Sequence, residues 1–207
     1  MKVIVFSSPE KTAKEHELIN LLFEEGIDYF HLRKPELGKE DFEEFLKGIK
    51  PRFLKKVILH AHFELLKKYN LGGVHLSRHY LQGLKEKAEE NKFIKELKAK
   101  GLNVSRSAHS LEELKTISSA YGYVFLSPVF NSISKENYAS NFAEAELKQG
   151  LKEKKTEIIA LGGVDDSKIE KVKELGFDGF AVLGYVWKEF AANQDIEKAL
   201  EKVKKIK

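Results

Sequence analysis

The sequence predicts an α/β fold, specifically a single (β/α)8 barrel. Short apolar segments alternate with amphipathic ones through the whole chain, and no linker or change of composition divides it. Two glycine-containing segments with strand character also lie close to the C-terminus. Regular alternation of this kind is typical of one parallel α/β domain, which we expect to span residues 1–207.

Eight strands are predicted from short runs rich in β-branched and aromatic residues, each bounded by turn residues. In chain order they are KVIVF at 2–6, DYFHLR at 28–33, KVILH at 56–60, GVHL at 73–76, LNVSR at 102–106, GYVFL at 122–126, TEIIAL at 156–161 and DGFAVL at 178–183. Eight parallel strands are the number that closes such a barrel.

Amphipathic segments between the strands predict the helices. They cover 10–25, 39–49, 62–70, 85–100, 110–120, 141–153, 165–175 and 188–205. Some carry start signals: Ser110 precedes LEEL, and Asp165 and Asp166 precede SKIEKVKEL. A serine or aspartate at this position can accept the free backbone N–H groups of the first helical turn.

The glycine segments favour a closed barrel over an open, doubly wound sheet. TEIIALGGVDD (156–166) and GFDGFAVLGYVW (176–187) each place glycine after an apolar run and before a helical pattern. No G-x-G-x-x-G follows the first strand, where an open sheet would carry it. Glycine turns after the last two strands are where such barrels hold phosphate. We expect the longest irregular stretch, 127–143, to be a mobile loop over the site.

Composition excludes several classes of protein. The 207 residues are 33% charged and 42% hydrophobic, and they contain no cysteine, which excludes disulfides and thiol catalysis. No apolar run reaches the roughly 20 residues that span a bilayer, so we expect no membrane association and a cytoplasmic location. The net charge of +4 comes from lysines that alternate with glutamates along helical faces, which argues against nucleic-acid binding.

Chemically active residues of such a barrel lie at the carboxyl ends of the strands. Reading those positions predicts a cationic, hydroxyl-rich face, which suits a phosphate or diphosphate ligand. Its members are His31, Arg33, Lys34, His60, His62, His75, Ser77, Arg78, His79, Arg106, Ser107, His109, Ser132, Ser134, Lys135, Gly162, Gly163 and Gly184.

Two of these positions have specific interpretations. Arg33 ends an otherwise apolar strand, and a buried guanidinium without an anion is unfavourable, so we expect Arg33 to contact ligand. His60 and His62 would share a strand face and could bind zinc as a pair, but no aspartate or glutamate is suitably placed to complete the set. We therefore predict no metal held by histidines alone.

Six segments together resemble the thiamine phosphate synthase and thiazole tautomerase (TenI) family. HLRK at 31–34 resembles Q-L-R-E-K, and SRSAHSLEEL at 105–114 resembles G-x-S-x-H-S before a glutamate-rich helix. The others are VHLS at 74–77 (V-H-L-G), SPVFNSISK at 127–135 (G-P-V-F-x-T-x-T-K), ALGGV at 160–164 (A-I-G-G-I) and DGFAVL at 178–183 (D-G-V-A-V-V). They lie in the right order and at the right barrel positions over nearly the whole chain.

The resemblance implies a TIM barrel that joins an aminopyrimidine diphosphate to a thiazole phosphate, with Mg²⁺ bridging the diphosphate oxygens. It implies catalytic roles for Arg33, Ser107 and Lys135, to which we add His31 as a candidate acid or base. The expected substrate contacts are Lys34, His60, His75, Arg78, Arg106, His109, Ser132, Ser134, Gly162, Gly163, Leu183 and Gly184. The expected partners are therefore phosphorylated thiazole and pyrimidine molecules; a homodimer is left open.

The sequence departs from the synthase pattern at the metal ligands. The family's Asn-Asp pair after strand three is His60 and Ala61 here, and the Asp of G-Q-x-D after strand four is Tyr80. The tautomerase branch carries a catalytic histidine where this chain has Pro128. Three functions stay open: synthase activity, tautomerase-like proton transfer through His31, His60, His75 or His109, and non-catalytic binding of thiazole phosphate.

Overall fold

The computed structural model describes residues 1–84, 86–131 and 142–207, and its eight parallel strands close into a barrel, which confirms the predicted fold. Strands adjacent in the chain are adjacent in the barrel, and the last closes the ring against the first. Their ends differ from the predicted ones by at most two residues. They are β1 Lys2–Phe6, β2 Tyr29–Leu32, β3 Val57–Leu59, β4 Gly73–His75, β5 Asn103–Ala108, β6 Tyr123–Leu126, β7 Glu157–Leu161 and β8 Gly179–Val182.

Helices surround the barrel. Within the described ranges they are α1 Glu15–Glu24, α2 Lys39–Lys47, α3 Arg78–Gln82, α4 Lys87–Ala99, α5 Leu111–Thr116, α6 Glu144–Lys152, α7 Ile169–Leu175, α8 Gly184–Asn193 and α9 Ile196–Lys205. Short 3-10 turns cover Pro51–Lys56, Phe63–Lys67 and Asp166–Lys168.

Two predicted helices differ from the structure. The segment 62–70 forms only the 3-10 turn Phe63–Lys67, in which Leu65 is the one buried side chain. So little apolar contact does not sustain a longer helix. The predicted helix 188–205 is two helices, α8 and α9, because Gln194 adopts a left-handed conformation (φ 52°). Asp195 then starts α9, its side chain accepting a hydrogen bond from the Lys198 N–H at 3.0 Å.

Two layers of apolar packing follow from the alternation of side chains along each strand. One face of each strand packs against the helices in the larger core, with Val5, Phe30 and Val74 among its members. The opposite face fills the barrel interior with a small cluster formed by Ile4, Phe6, Tyr123, Phe125, Ile159 and Ala181. Side chains that follow this inward face come together at one end of the barrel.

We call that end, where the carboxyl ends of the strands lie, the mouth. The predicted loop 127–143 begins there, and only its ends, 127–131 and 142–143, fall within the described residues. Among the described helices, none has the length and apolar character needed to cross a membrane.

Candidate active site

Three histidines meet inside the mouth: His31 lies on β2, His60 follows β3 and His75 ends β4. His31 Nδ1 lies 2.9 Å from His60 Nε2, and His31 Nε2 lies 2.7 Å from the Tyr123 hydroxyl. His75 stacks on His60 with ring centroids 4.3 Å apart, and its Nδ1 lies 3.0 Å from Ser105 Oγ. We call His31, His60 and His75 the imidazole side of the mouth.

Strand register explains the meeting. Leu59 pairs with Val74, so one residue further along places His60 level with His75. His75 in turn pairs with Ser105 on β5. His31 belongs to the inward face of β2, since it contacts Tyr123 across the barrel interior.

Aromatic rings of the barrel-interior cluster pack against the imidazole side. Phe6 stacks on His31 at 4.9 Å between centroids, and Phe125 packs edge-on against His31 at 4.9 Å. His31 is completely buried, His75 is 6% exposed, and His60 is half-buried. His60 is therefore the member with access to the mouth.

This environment keeps the three imidazoles neutral at neutral pH. Burial, and to a smaller extent the neighbouring His75, hold the pKa of His31 well below its usual range. Burial, followed by His75, His31 and Arg33, does the same to the pKa of His60. Burial lowers the pKa of His75 to about 3, with smaller contributions from Arg33 and Arg106. A neutral imidazole has a lone pair available for a proton or a metal ion.

The opposite part of the mouth is built from backbone. Gly162 and Gly163 follow β7 with φ of 95° and 67°, a region that side chains other than glycine's rarely adopt. They hold the chain that follows β6, because Phe130 N–H donates to the Gly162 carbonyl at 3.0 Å. A Cβ at Gly163 would lie 2.1 Å from the Asn131 carbonyl oxygen. The close packing of residues 130–131 is therefore the first reason that position 163 requires glycine.

Gly184 begins α8 directly after β8, with Leu183 at the N-cap position. Leu183 is half-buried and packs against the barrel-interior cluster. Backbone N–H groups at the start of a helix attract anions. We call Gly162, Gly163 and Gly184 the glycine side of the mouth.

Arg33 follows β2 at the mouth, but its expected burial is wrong: the residue is exposed. Its backbone is fixed, since Arg33 N–H donates to Ser7 Oγ and Ser7 Oγ–H donates to the Arg33 carbonyl, both at 2.9 Å. Its guanidinium makes no hydrogen bond or ion pair with the described residues. Ser107 Oγ lies 3.5 Å from His75 Nε2, which places this hydroxyl beside the imidazole side.

Lys34 points away from Arg33 into the space between α1 and α2. Its ammonium donates to Glu15 Oε2 and to the Glu10 carbonyl, both at 2.7 Å, and it lies 5.2 Å from the Phe45 ring centroid. The side chains of Lys34 and Glu15 are 4% and 2% exposed. Burial raises the pKa of Glu15 and lowers that of Lys34, with their mutual pairing opposing both shifts. The contact of Lys34 with substrate stays a prediction.

Arg106 and Arg78 both pair with acidic side chains. Arg106 lies on β5 between the inward Ser105 and Ser107, and its guanidinium bonds to Glu113 at 2.9 Å and to Glu90 at 3.4 Å. Arg78 lies 3.7 Å from Glu113 with most of its side chain exposed. Substrate contacts by these two arginines stay predictions.

Other predicted site residues lie apart from the imidazole side or outside the described residues. His109 is exposed at the mouth, and its Nδ1 lies 2.9 Å from the Ser127 carbonyl oxygen. Ser132, Ser134 and Lys135 lie outside the described residues. His62 does not join His60; its Nε2 lies 3.3 Å from the Leu37 carbonyl oxygen instead.

Sequence reasoning missed Ser105 and Tyr123, which both bond to the imidazole side. Each lies two residues before another inward residue, Ser107 and Phe125 respectively. Strict alternation along β5 and β6 was the signal that could have found them.

Comparison with known proteins identifies the family of the chain. The TMP-TENI family model, described as thiamine monophosphate synthase, matches residues 2–186. The chain belongs to this family. The thiamine-phosphate synthase of Clostridium acetobutylicum is 27% identical over 180 residues, covering 84% of this chain and 81% of that protein. That of Clostridium tetani is 25% identical over 182 residues, covering 86% and 81%.

Solved structures give the same result. A thiamine phosphate pyrophosphorylase from Bacteroides thetaiotaomicron superposes with a TM-score of 0.81 at 33% identity, covering 100% of this chain and 95% of that one. A thiamine phosphate pyrophosphorylase from Pyrococcus furiosus gives a TM-score of 0.72 at 18% identity, with 99% and 96% coverage, and supports the fold alone.

The residues present do not fit the magnesium site that the family resemblance implies. Mg²⁺ prefers oxygen ligands in octahedral geometry. Ala61 offers none, and the Tyr80 ring packs between Phe63 and Phe93, at 5.2 and 5.7 Å between centroids. In the part of the chain that the structure describes, the one group of three or more histidine or acidic side chains able to share an ion is the imidazole side.

Proposed function

We propose that this protein is a thiamine-phosphate synthase-like transferase that couples an aminopyrimidine diphosphate to a thiazole phosphate. The observation that carries the proposal is the glycine side of the mouth, in a chain that matches the family over residues 2–186. Turns after the last two strands of such barrels bind phosphate through backbone N–H groups. The phosphate of the thiazole phosphate would bind on the glycine side. Its neutral thiazole ring would then lie over the barrel interior.

Arg33 would bind the diphosphate. Its side chain is exposed at the mouth, and its backbone is fixed by Ser7. A guanidinium grips phosphate oxygens in a bidentate manner. Because no described acidic residue pairs with it, this charge is available to an anionic ligand.

The reaction breaks the bond between the pyrimidine methylene carbon and a diphosphate oxygen, and the thiazole nitrogen forms a new bond to that carbon. The diphosphate leaves with the electron pair of the broken bond. Arg33 would stabilise the negative charge that develops on it, and Ser107 would add a hydroxyl donor beside it. Ser132, Ser134 and Lys135 stay predicted contributors, and the cytoplasmic location stays a prediction.

A coupling assay with both phosphorylated substrates tests the proposal, run with Mg²⁺ and with a chelator, with thiamine phosphate separated by chromatography. We expect product from the unaltered chain and a fall of about 10²- to 10³-fold in rate for Arg33→Ala, the size expected when one charge-stabilising donor is removed. Arg52→Ala is the control, since Arg52 lies before β3, at the other end of the barrel, and pairs with Glu24. Equal rates for the two variants would remove Arg33 from the mechanism.

Proton transfer on a bound thiazole phosphate is the second candidate. One observation favours it: two neutral imidazoles, His31 and His60, face each other at 2.9 Å, and His60 has access to the mouth. Such a pair can accept and pass a proton. The test is incorporation of deuterium from solvent into bound thiazole phosphate. If the protein catalyses this exchange and shows no coupling activity, proton transfer replaces the transferase reaction as its function.

A further inference from the structure

The imidazole side contains more nitrogen ligands than substrate binding or a single acid–base step requires. One ring nitrogen from each of His31, His60 and His75 can be chosen so that all three lie within 4.8 Å of one another. Three histidines from adjacent strands therefore converge on one point at the inner end of the mouth.

The contact between His31 and His60 brings two ring nitrogens together through one shared proton. Two neutral imidazole nitrogens 2.9 Å apart need one proton between them, since two facing lone pairs repel. No acidic side chain contacts either nitrogen among the described residues. A metal ion is the other centre that satisfies two such lone pairs, and its binding releases protons.

The outer contacts orient the rings as metal ligands need. Histidines that bind metal almost always donate their other N–H to an oxygen. His31 Nε2 lies 2.7 Å from the Tyr123 hydroxyl, and His75 Nδ1 lies 3.0 Å from Ser105 Oγ. If both rings donate through these contacts, the lone pairs remain on His31 Nδ1 and His75 Nε2.

We propose that His31, His60 and His75 bind one divalent transition-metal ion of the zinc type, with a fourth coordination position open to the mouth. Three imidazoles with one free position are a ligand set that zinc and cobalt accept and that magnesium does not. The free position would lie on the side of His60, the half-buried member, and so would be reached from the mouth. This proposal does not rest on the proposed transferase reaction.

The positive charge of Arg33 limits the affinity of the imidazole side for a metal ion. Arg33 lies two residues after His31 at the mouth and is exposed there, so its positive charge opposes a divalent cation bound by the imidazole side. Removing that charge should strengthen metal binding. Arg33→Gln therefore moves metal affinity in the opposite direction to a ligand substitution, which separates a metal site from general damage to the mouth.

The test uses the full chain without a polyhistidine tag, stripped with chelator and then titrated with Co²⁺. We expect one equivalent to bind with visible ligand-field bands of tetrahedral intensity, and Zn²⁺, but not Mg²⁺, to displace it. His60→Ala should weaken binding at least 10-fold, and Ser105→Ala about 10-fold through the orientation of His75. His79→Ala is the matched control, an exposed histidine outside the cluster.

The proposal fails if the folded parent chain binds no Co²⁺ or Zn²⁺ by calorimetry. It also fails if His60→Ala binds as the parent does, or if His79→Ala loses as much affinity as His60→Ala. Circular dichroism establishes that each variant is folded. If His60→Ala does not fold, Ser105→Ala and Arg33→Gln decide the matter, with weaker and stronger binding expected in turn.

Discussion

The two sides of the mouth are built from different kinds of chemical group. On the imidazole side, neutral side chains are held by hydrogen bonds, among them those of His31 with the Tyr123 hydroxyl and of His75 with Ser105 Oγ. The glycine side presents backbone, and a Cβ at Gly162 or Gly163 would lie too close to the chain that follows β6. The properties of the imidazole side therefore depend on the protonation state of its histidines, whereas those of the glycine side depend on the conformation of its backbone.

This difference predicts which changes affect each side of the mouth. Changes of charge or pH should act on the imidazole side, while changes of backbone freedom should act on the glycine side.

Lys34 tests whether the segment after β2 offers a ligand one cation, Arg33, or two. Lys34→Met should lower the free energy of unfolding by about 3 kcal/mol, because it leaves the buried Glu15 carboxylate without its partner. Urea denaturation measures this. Lys39→Met is the control, since Lys39 and its partner Glu64 are both at least half exposed and such pairs contribute about 0–1 kcal/mol.

The same variant decides whether Lys34 contacts ligand. With Lys34 turned into the protein, we expect folded Lys34→Met to bind inorganic diphosphate as the parent does. A 10-fold loss of diphosphate affinity in the folded variant would show instead that Lys34 belongs to the binding site, as the family resemblance implies.

Gly163 tests the backbone basis of the glycine side. Gly163→Ala should destabilise the protein by about 2–4 kcal/mol, since it combines strain at positive φ with a clash against the 130–131 backbone. Gly101→Ala is a matched control: Gly101 has φ of 75°, but a Cβ there meets nothing within 4 Å. Its loss should be about 1–2 kcal/mol from conformation alone.

Equal losses for the two alanine variants would mean that the 130–131 segment moves aside freely. A larger loss at Gly163, accompanied by weaker phosphate binding in calorimetry, would support the assignment of this turn to both packing and anion binding.

Much of the fold was predictable because strand periodicity and glycine position are local properties of the sequence. All eight strands followed from short β-branched runs, and the glycine turns were placed at the right end of the barrel. The helical segments were less predictable. Whether 62–70 forms a full helix depends on how much apolar surface it can cover, which is a tertiary property.

The site was predictable in its members more than in their contacts. His31, His60 and His75 were each identified by strand position, but their convergence depends on inter-strand register, which no single segment encodes. The inward turn of Lys34 toward Glu15 was also missed, because the two residues are 19 positions apart and belong to different βα units.

The pH dependence of stability is the smallest effect per residue and tests the imidazole side directly. His75 has a folded pKa of about 3, below the unfolded value of about 6.5. It is therefore neutral when folded and takes up a proton on unfolding. Its contribution is complete above about pH 6.5 and is lost as the pH falls toward about 3. Between about pH 7 and about pH 5.5, each such imidazole should lower the free energy of unfolding by about 1 kcal/mol.

Urea denaturation at these two pH values, with chelator present, measures the slope. The parent should lose about 1 kcal/mol more than His75→Gln, while the exposed control His79→Gln should match the parent. His31 and His60 shift in the same direction, so His60→Gln should flatten the slope by a similar amount. Parallel slopes in all four proteins would mean that the imidazole side is hydrated and protonated like a surface, which would end the contrast with the glycine side.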